Sequence, residues 1–259
     1  MMDGRTVCEI DIDRELRMVR RKDFDDALLK AYLSIGGQFI KGSFAGFEPQ
    51  ADGKLLVKLK SGETLMCDYL VGADGANSRV RAALTGDYQG NTLWLELYTE
   101  KGENTFVFEV SKAYGNGYFY RFPSVGRDAV GIGGTEKSLK ELKVLLEQKG
   151  IETTALHGAY IPMKTVLSEN NQVILIGDAG GFANKLSYEG LYYAIATAET
   201  AYKAIMEEKR YLILNREIFR KKRKEAYLTR LFYSPIGFWL IRLGVRSPWL
   251  TKKVFQKYL

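Results

Sequence analysis

The spacing of apolar positions changes several times along this chain, and each change marks an element. Val173-Ile-Leu-Ile176 is an unbroken aliphatic run between Asn170-Asn171 and Gly177, the pattern of a strand buried on both faces. After Gly177-Asp178-Ala-Gly-Gly181 the period becomes helical, predicting a helix over Tyr188–Ala204 with Ala194, Ala198 and Ala201 on one face. A second apolar run, Tyr69–Ala73, enters the turn Asp74-Gly75, with Ser78, Arg79 and Arg81 just beyond. Before it, residues 38–41, 44–48, 54–59 and 63–69 read as short strands, with Asp52-Gly53 and Ser61-Gly62 as hairpin turns. Residues 92–99, 105–110, 117–122 and 128–133 read as a further antiparallel run. A helix follows over Ser138–Gln148, with Leu139, Leu142, Leu145 and Leu146 inward. Near the start, Glu9–Asp13 alternates like a half-exposed strand, its aspartates solvated rather than metal-bound. Asp23 is placed to cap a helix carrying Phe24, Leu28, Ala31 and Tyr32 on one face and stopping before Gly36-Gly37.

Two of these strands run into acidic, glycine-containing turns. A strand that turns into a helix aims free N–H groups and the positive end of the helix dipole outward. Such a turn holds an electron-rich ligand group, with the aspartate accepting from ligand hydroxyls, or else the aspartate simply caps the helix. Gly131-Ile-Gly-Gly-Thr-Glu136 imitates a dinucleotide fingerprint, but Glu136 occupies the third glycine position and no βαβ unit surrounds it. Close sheet packing or a bulge is the better use of those glycines. His157 is the single histidine and reads as structural, so no Ser/His/Asp or Cys/His set can be assembled.

Composition narrows the class further. The chain is 46% hydrophobic and 27% charged, ordinary for a globular protein, and 259 residues suffice for a sizeable core. Its two cysteines, Cys8 and Cys67, lack metal-ligand spacing. Without a disulfide framework, zinc site or signal-peptide pattern, a cytoplasmic setting is expected. The net charge of +7 sits in the tail: Met206–Leu259 holds 14 Lys and Arg against 4 Asp and Glu, the rest of the chain 24 against 27. Leu231–Val245, with Arg242 inside it, is too short and too polar to span a membrane. The basic run Arg220-Lys-Lys-Arg-Lys224 beside Phe232, Phe238, Trp239, Leu240 and Trp249 suits either a peripheral contact with anionic lipid or a solvated helix face with packing aromatics. No motif for nucleic acid accompanies the charge.

Asp74, Gly75, Ser78 and Arg81 match Asp-Gly-x-x-Ser-x-x-Arg, and Gly177-Asp178 matches Gly-Asp. These are motifs of flavoproteins with the para-hydroxybenzoate hydroxylase-like fold, which the chain resembles. Tyr118-Phe-Tyr120-Arg-Phe122-Pro123, followed by Gly131-Ile-Gly133, is similar to the geranylgeranyl reductase signature. Tyr120 stands where that family usually has Trp, and Gly115 where it usually has Pro. Arg21-Lys-Asp-Phe24-Asp25 resembles its Arg-x-x-Phe-Asp. Asn184-Lys185 and Tyr188-Glu189-Gly190 depart from its Asn-Pro and from its glycine before Glu-Gly.

The resemblance implies an α/β (overall α+β) chain: an incomplete Rossmann-like FAD domain, interrupted by an antiparallel β-sheet substrate domain, with a helical C-terminal tail. The expected divisions are 1–90 and 161–206 for the FAD domain, 91–160 for the substrate domain and 207–259 for the basic tail. It implies FAD at Arg21, Asp74, Gly75, Gly177, Asp178, Gly180, Gly181, Glu189 and Gly190. An apolar prenyl or lipid substrate would lie on Tyr118, Tyr120, Phe122, Pro123, Gly131 and Gly133. NADPH or ferredoxin would be the electron donor. The 259 residues hold no Gly-x-Gly-x-x-Gly unit for the ADP half of FAD, so a partner chain supplying that unit is one expectation. A class A flavin monooxygenase and a non-catalytic remnant, or half of a split enzyme, stand beside the reductase as alternatives.

Overall fold

The computed structural model describes residues 8–11, 18–86, 90–134 and 137–258. In chain order the elements are α1 (Arg21–Ser34), β1 (Phe44–Pro49), β2 (Leu55–Leu59), β3 (Thr64–Cys67), β4 (Leu70–Gly72), α2 (Arg79–Thr85), β5 (Asn91–Thr99), β6 (Val107–Glu109), β7 (Gly117–Pro123) and β8 (Asp128–Gly134). Then come α3 (Leu139–Glu147), β9 (His157–Pro162), β10 (Val173–Leu175), α4 (Leu191–Met206), α5 (Tyr211–Leu214), α6 (Arg216–Phe232), α7 (Pro235–Gly244) and α8 (Pro248–Tyr258). They form two compact units, each from separated stretches: Ile40–Thr92 with Tyr160–Thr229, and Met1–Phe39 with Leu93–Ala159 and Arg230–Leu259.

In the first of these units, β1, β2 and β3 make an antiparallel meander. Gly53 and Gly62 turn its hairpins at φ 82° and 92°, which glycine adopts without steric cost. Beside the meander, β4 and β10 pair in parallel. Val173, Ile174 and Leu175 are 0–3% exposed, as the unbroken aliphatic run requires. Val173, Leu175, Leu55 and Val80 share one cluster, with Leu70 and Leu84 packed against it. Ile174 joins Ala201, Ala204 and Tyr211 in another. Each aliphatic side chain so buried contributes about 1.5–3 kcal/mol.

The other unit holds a five-stranded sheet in the order β6-β7-β8-β5-β9, its inner strands antiparallel. One face carries Leu95, Leu97, Phe119, Val130 and Ile132, packed with Leu142 and Leu146 of α3. Ser138 and Glu141 form a reciprocal capping box that starts α3.

Several expectations change. Residues 38–41 form no strand; Glu9–Asp11 have no regular structure, and Ile12 and Asp13 lie outside the described residues. The first helix begins at Arg21, not Phe24, with Asp23 inside its first turn, and it buries none of its residues. A carboxylate there favours the helix dipole without capping it. Leu139 is 48% exposed because α3 meets the sheet only from Leu142 onward. The helix expected from Tyr188 starts at Leu191, and its buried stripe is Tyr193, Thr197, Ala201 and Ala204 rather than Ala194, Ala198 and Ala201. Polar bonds rotate it: the Thr197 hydroxyl accepts from the Gly177 N–H at 2.9 Å, and the Tyr193 hydroxyl donates to Glu225.

Candidate functional site

The register Leu70↔Val173, Val71↔Ile174, Gly72↔Leu175 brings the carboxyl ends of β4 and β10 side by side. Both acidic turns therefore leave the same end of the pair, the end where parallel α/β sheets bind ligands. In the first turn, Gly75 has φ 78°. Asp74 Oδ2 accepts from the N–H groups of Arg79 (2.7 Å) and Val80 (3.2 Å). Ser78 Oγ accepts from the Arg81 N–H at 2.8 Å. Aspartate and serine thus share the capping of α2.

Arg81 links this turn to the second. The residue is 2% exposed, and its Nη1 donates to the carbonyl oxygens of Asp178 (3.1 Å) and Ala179 (2.8 Å). Nη2 donates to the carbonyl of Ala76. The arginine of the first motif fixes the backbone of the second.

In the second turn, Gly177–Gly180 forms one 3-10 turn, and Gly181 follows at φ 71°. A Cβ on Gly181 would stand 2.1 Å from the Lys164 carbonyl oxygen, so no other residue fits. Asp178 Oδ1 lies where a Cβ on Gly190 would approach to 3.1 Å. Gly190 is the N-cap of α4 and provides no side-chain cap. A half-buried carboxylate, a glycine and an uncapped 16-residue helix N-terminus thus adjoin one another. Such a donor set takes a ligand with hydroxyls and an electron-rich edge.

The loop between Gly181 and α4 is held from beneath. Asn184 Oδ1 accepts from the N–H groups of Leu186 (2.8 Å) and Ser187 (3.0 Å). The Asn184 N–H donates to the carbonyl of Glu189, whose side chain is exposed. Tyr188 sits at φ 59° where the resembled family has glycine, buried at 6%. A non-glycine residue there costs about 1–2 kcal/mol, set against the burial of its ring. From α6, Glu225 accepts from Lys222 Nζ (2.7 Å), from Asn184 Nδ2 (3.3 Å) and from the Tyr193 hydroxyl. Lys222 also donates to the Ala183 carbonyl. Burial draws the Lys222 pKa down from its ordinary value, and the bond to Glu225 opposes that. Lys222 is therefore not part of the solvated basic run its neighbours suggest. Sequence reasoning missed this pair, and the only trace of it is the i, i+3 spacing of a lysine and a glutamate.

Arg21 lies in the other unit, where Nε donates to Asp25 at 2.8 Å on the surface of α1. The same unit presents the signature residues on the sheet face opposite α3. Tyr118, Tyr120 and Phe122 alternate along β7 with Trp94 of β5 and Phe108 of β6 nearby. Ring centroids are 4.8 Å apart for Trp94–Tyr118, 4.4 Å for Tyr120–Phe122 and 4.8 Å for Phe108–Phe122. Cβ atoms on Gly131 and Gly133 would stand 2.2 Å from the rings of Tyr120 and Trp94, so these glycines exist to let aromatic rings lie flat on β8. Pro123 ends β7, buried and paired with Asp128. Gly115 has φ 64°, a conformation closed to the proline of the resembled family. The Tyr120 hydroxyl donates to Glu96. Burial, reinforced by Glu96, pushes the Tyr120 pKa far above its ordinary value. The signal for Glu96 was a lone acid in the apolar run of residues 92–99.

Residues 41–104 match the FAD binding domain family. The chain is 29% identical over 210 residues to the geranylgeranyl diphosphate reductase of Rhodobacter capsulatus, covering 73% of this chain and 54% of that protein. It is 28% identical over 254 residues to an uncharacterized protein of Methanosarcina barkeri, covering 87% and 64%. The chain thus spans roughly half to two thirds of the length of these relatives. Among solved structures, a geranylgeranyl bacteriochlorophyll reductase-like protein of Thermoplasma acidophilum superposes with a TM-score of 0.62 at 18% identity, covering 90% of this chain and 66% of that one. The chain is similar in sequence to geranylgeranyl diphosphate reductases, and it shares its fold with a geranylgeranyl bacteriochlorophyll reductase-like protein and with a probable FAD-dependent monooxygenase of Pseudomonas aeruginosa.

Proposed function

We propose that this chain forms the flavin-facing and substrate-facing parts of a reductase that saturates carbon–carbon double bonds of an apolar isoprenoid. The observation that carries the reading is the Arg81 brace, which fixes the two acidic turns at one end of the β4–β10 pair. FAD, when bound and reduced by an external electron donor, would supply the hydride. Asp178 would accept hydrogen bonds from its ribityl hydroxyls. The N–H groups after Gly180-Gly181 and the open end of α4 would stabilise negative charge at the pyrimidine edge. Tyr118, Tyr120, Phe122 and Trp94 would bind by apolar contact, which suits a substrate offering little but length and hydrocarbon surface. Similarity to geranylgeranyl diphosphate reductases supports the isoprenoid class.

The test is titration of FAD with the purified chain, followed by flavin fluorescence. Saturable quenching is expected, weakened about tenfold by Asp178→Ala, the loss of one or two hydrogen bonds to a charged acceptor. Absence of saturable quenching up to about 1 mM FAD, the weak end of specific binding, overturns the proposal.

A further inference from the structure

We infer that the C-terminal pair α7–α8 is a docking surface for an anionic lipid bilayer, lying in the plane of the headgroups. The inference is independent of the redox reading, since its residues belong to neither the turns nor the aromatic face.

An amphipathic helix of a globular protein turns its apolar stripe toward the core, and α7 does the reverse. Ile236, Trp239, Leu240 and Leu243, spaced i, i+3, i+4, i+7, are 65%, 59%, 48% and 44% exposed, while the buried residue of the helix is Gly237. On α8, Trp249 is 70% and Leu250 41% exposed, while Thr251 turns inward. Two of the three tryptophans of the chain therefore stand in solvent within eleven residues of each other. Tryptophan prefers the boundary between hydrocarbon and water.

Charge identifies the occupant. Glu225 is the last carboxylate in the sequence; Ala226–Leu259 contains six Lys and Arg and no Asp or Glu. Arg242 lies one turn from Trp239 on the flank of the apolar stripe, and Arg246 follows just after the end of α7, both exposed. Lys253 Nζ sits 5.0 Å from the Trp249 ring centroid. Guanidinium and ammonium groups bordering apolar side chains match phosphate above acyl chains, with long basic side chains reaching up to the headgroups. A protein partner would bring its own polar rim of both signs, and a surface with no acid over 34 residues offers half of the needed complement. Among the described residues no helix is long and apolar enough to cross a membrane, so the contact is interfacial.

The experiment is flotation of the full chain with vesicles of phosphatidylcholine alone, or of phosphatidylcholine with phosphatidylglycerol. Flotation with the anionic vesicles only, reversed by salt, is expected, together with a blue shift of tryptophan emission and its quenching by brominated acyl chains. Arg242→Gln with Arg246→Gln should weaken partition about fivefold per arginine. Trp239→Ser and Trp249→Ser should each lose part of the shift. All four side chains are exposed, so circular dichroism should be unchanged. Flotation with neither vesicle, or equally with both, overturns the inference. So does lipid-independent self-association that Trp239→Glu abolishes, which would make a second copy the occupant.

Discussion

Arg81 reaches across from α2 to donate to the carbonyl oxygen of Asp178 at 3.1 Å, tying together two turns separated by about a hundred residues of chain. The same guanidinium bonds Ala179 and Ala76. Backbone carbonyls of both turns thus share a buried cation, and neither turn holds its shape independently of the other.

Arg81→Met should destabilise the protein by about 3 kcal/mol, because one buried and two half-buried carbonyl oxygens lose a charged donor. Equilibrium urea unfolding measures the loss. Arg81→Lys should recover part of it, since an ammonium reaches fewer of the three acceptors. A change within about 0.5 kcal/mol, the range of ordinary surface substitutions, would show that the turns are held by packing alone.

The glycines of β8 give a second expectation. Gly133→Ala places a methyl 2.2 Å from the Trp94 ring and should cost about 1–3 kcal/mol, the usual penalty of overpacking, with a shift in tryptophan emission as the ring lifts. Gly158→Ala makes an informative control. Its Cβ would meet Leu95 at 3.5 Å, an ordinary contact, and stability should barely move.

Alkaline pH should unfold the protein through its tyrosines. Burial raises the folded-state pKa of Tyr188, Tyr193, Tyr211 and Tyr120 well above the ordinary value of 10.0, with hydrogen bonds to Glu225 and Glu96 adding to it for Tyr193 and Tyr120. The unfolded chain ionises them near 10.0 while the native state keeps them protonated. Their contribution is complete below that pH and is lost as pH rises above it toward the folded values. The absorbance of tyrosinate should therefore rise in two stages, a reversible one from exposed phenols and a cooperative one coincident with loss of helical circular dichroism. A single early rise including all phenols would contradict the buried assignments.

Much of the fold was legible because its signals are local. The aliphatic run at Val173, the glycine hairpins at Gly53 and Gly62, and the Ser138–Glu141 box each act within a few residues. The two motifs marked the acidic turns, but not how they are joined: nothing around Arg81 says that its acceptors lie at residues 178 and 179. Tertiary bonds also set the rotation of α4, since Tyr193 and Thr197 turn inward to reach Glu225 and Gly177. Their polar side chains lie to one side of the alanine stripe that helical periodicity favours, and Ala201 belongs to both stripes. Lys222 was hidden in the same way, reading as one charge among five until burial and Glu225 distinguish it.

The parallel pairing of β4 with β10 also governs how the molecule is built. Leu70 cannot meet Val173 until the ribosome has delivered the whole intervening segment, whereas β7 and β8 are joined by a four-residue turn. Contacts of high sequence separation form late, after the entropy of a long closure has been met. The short-range meanders should therefore be protected early in a hydrogen-exchange pulse, and the amides of Val71 and Ile174 last. Until that final closure the end that joins Asp74 to Asp178 does not exist, so nascent or partly folded copies would have no competence for ligand.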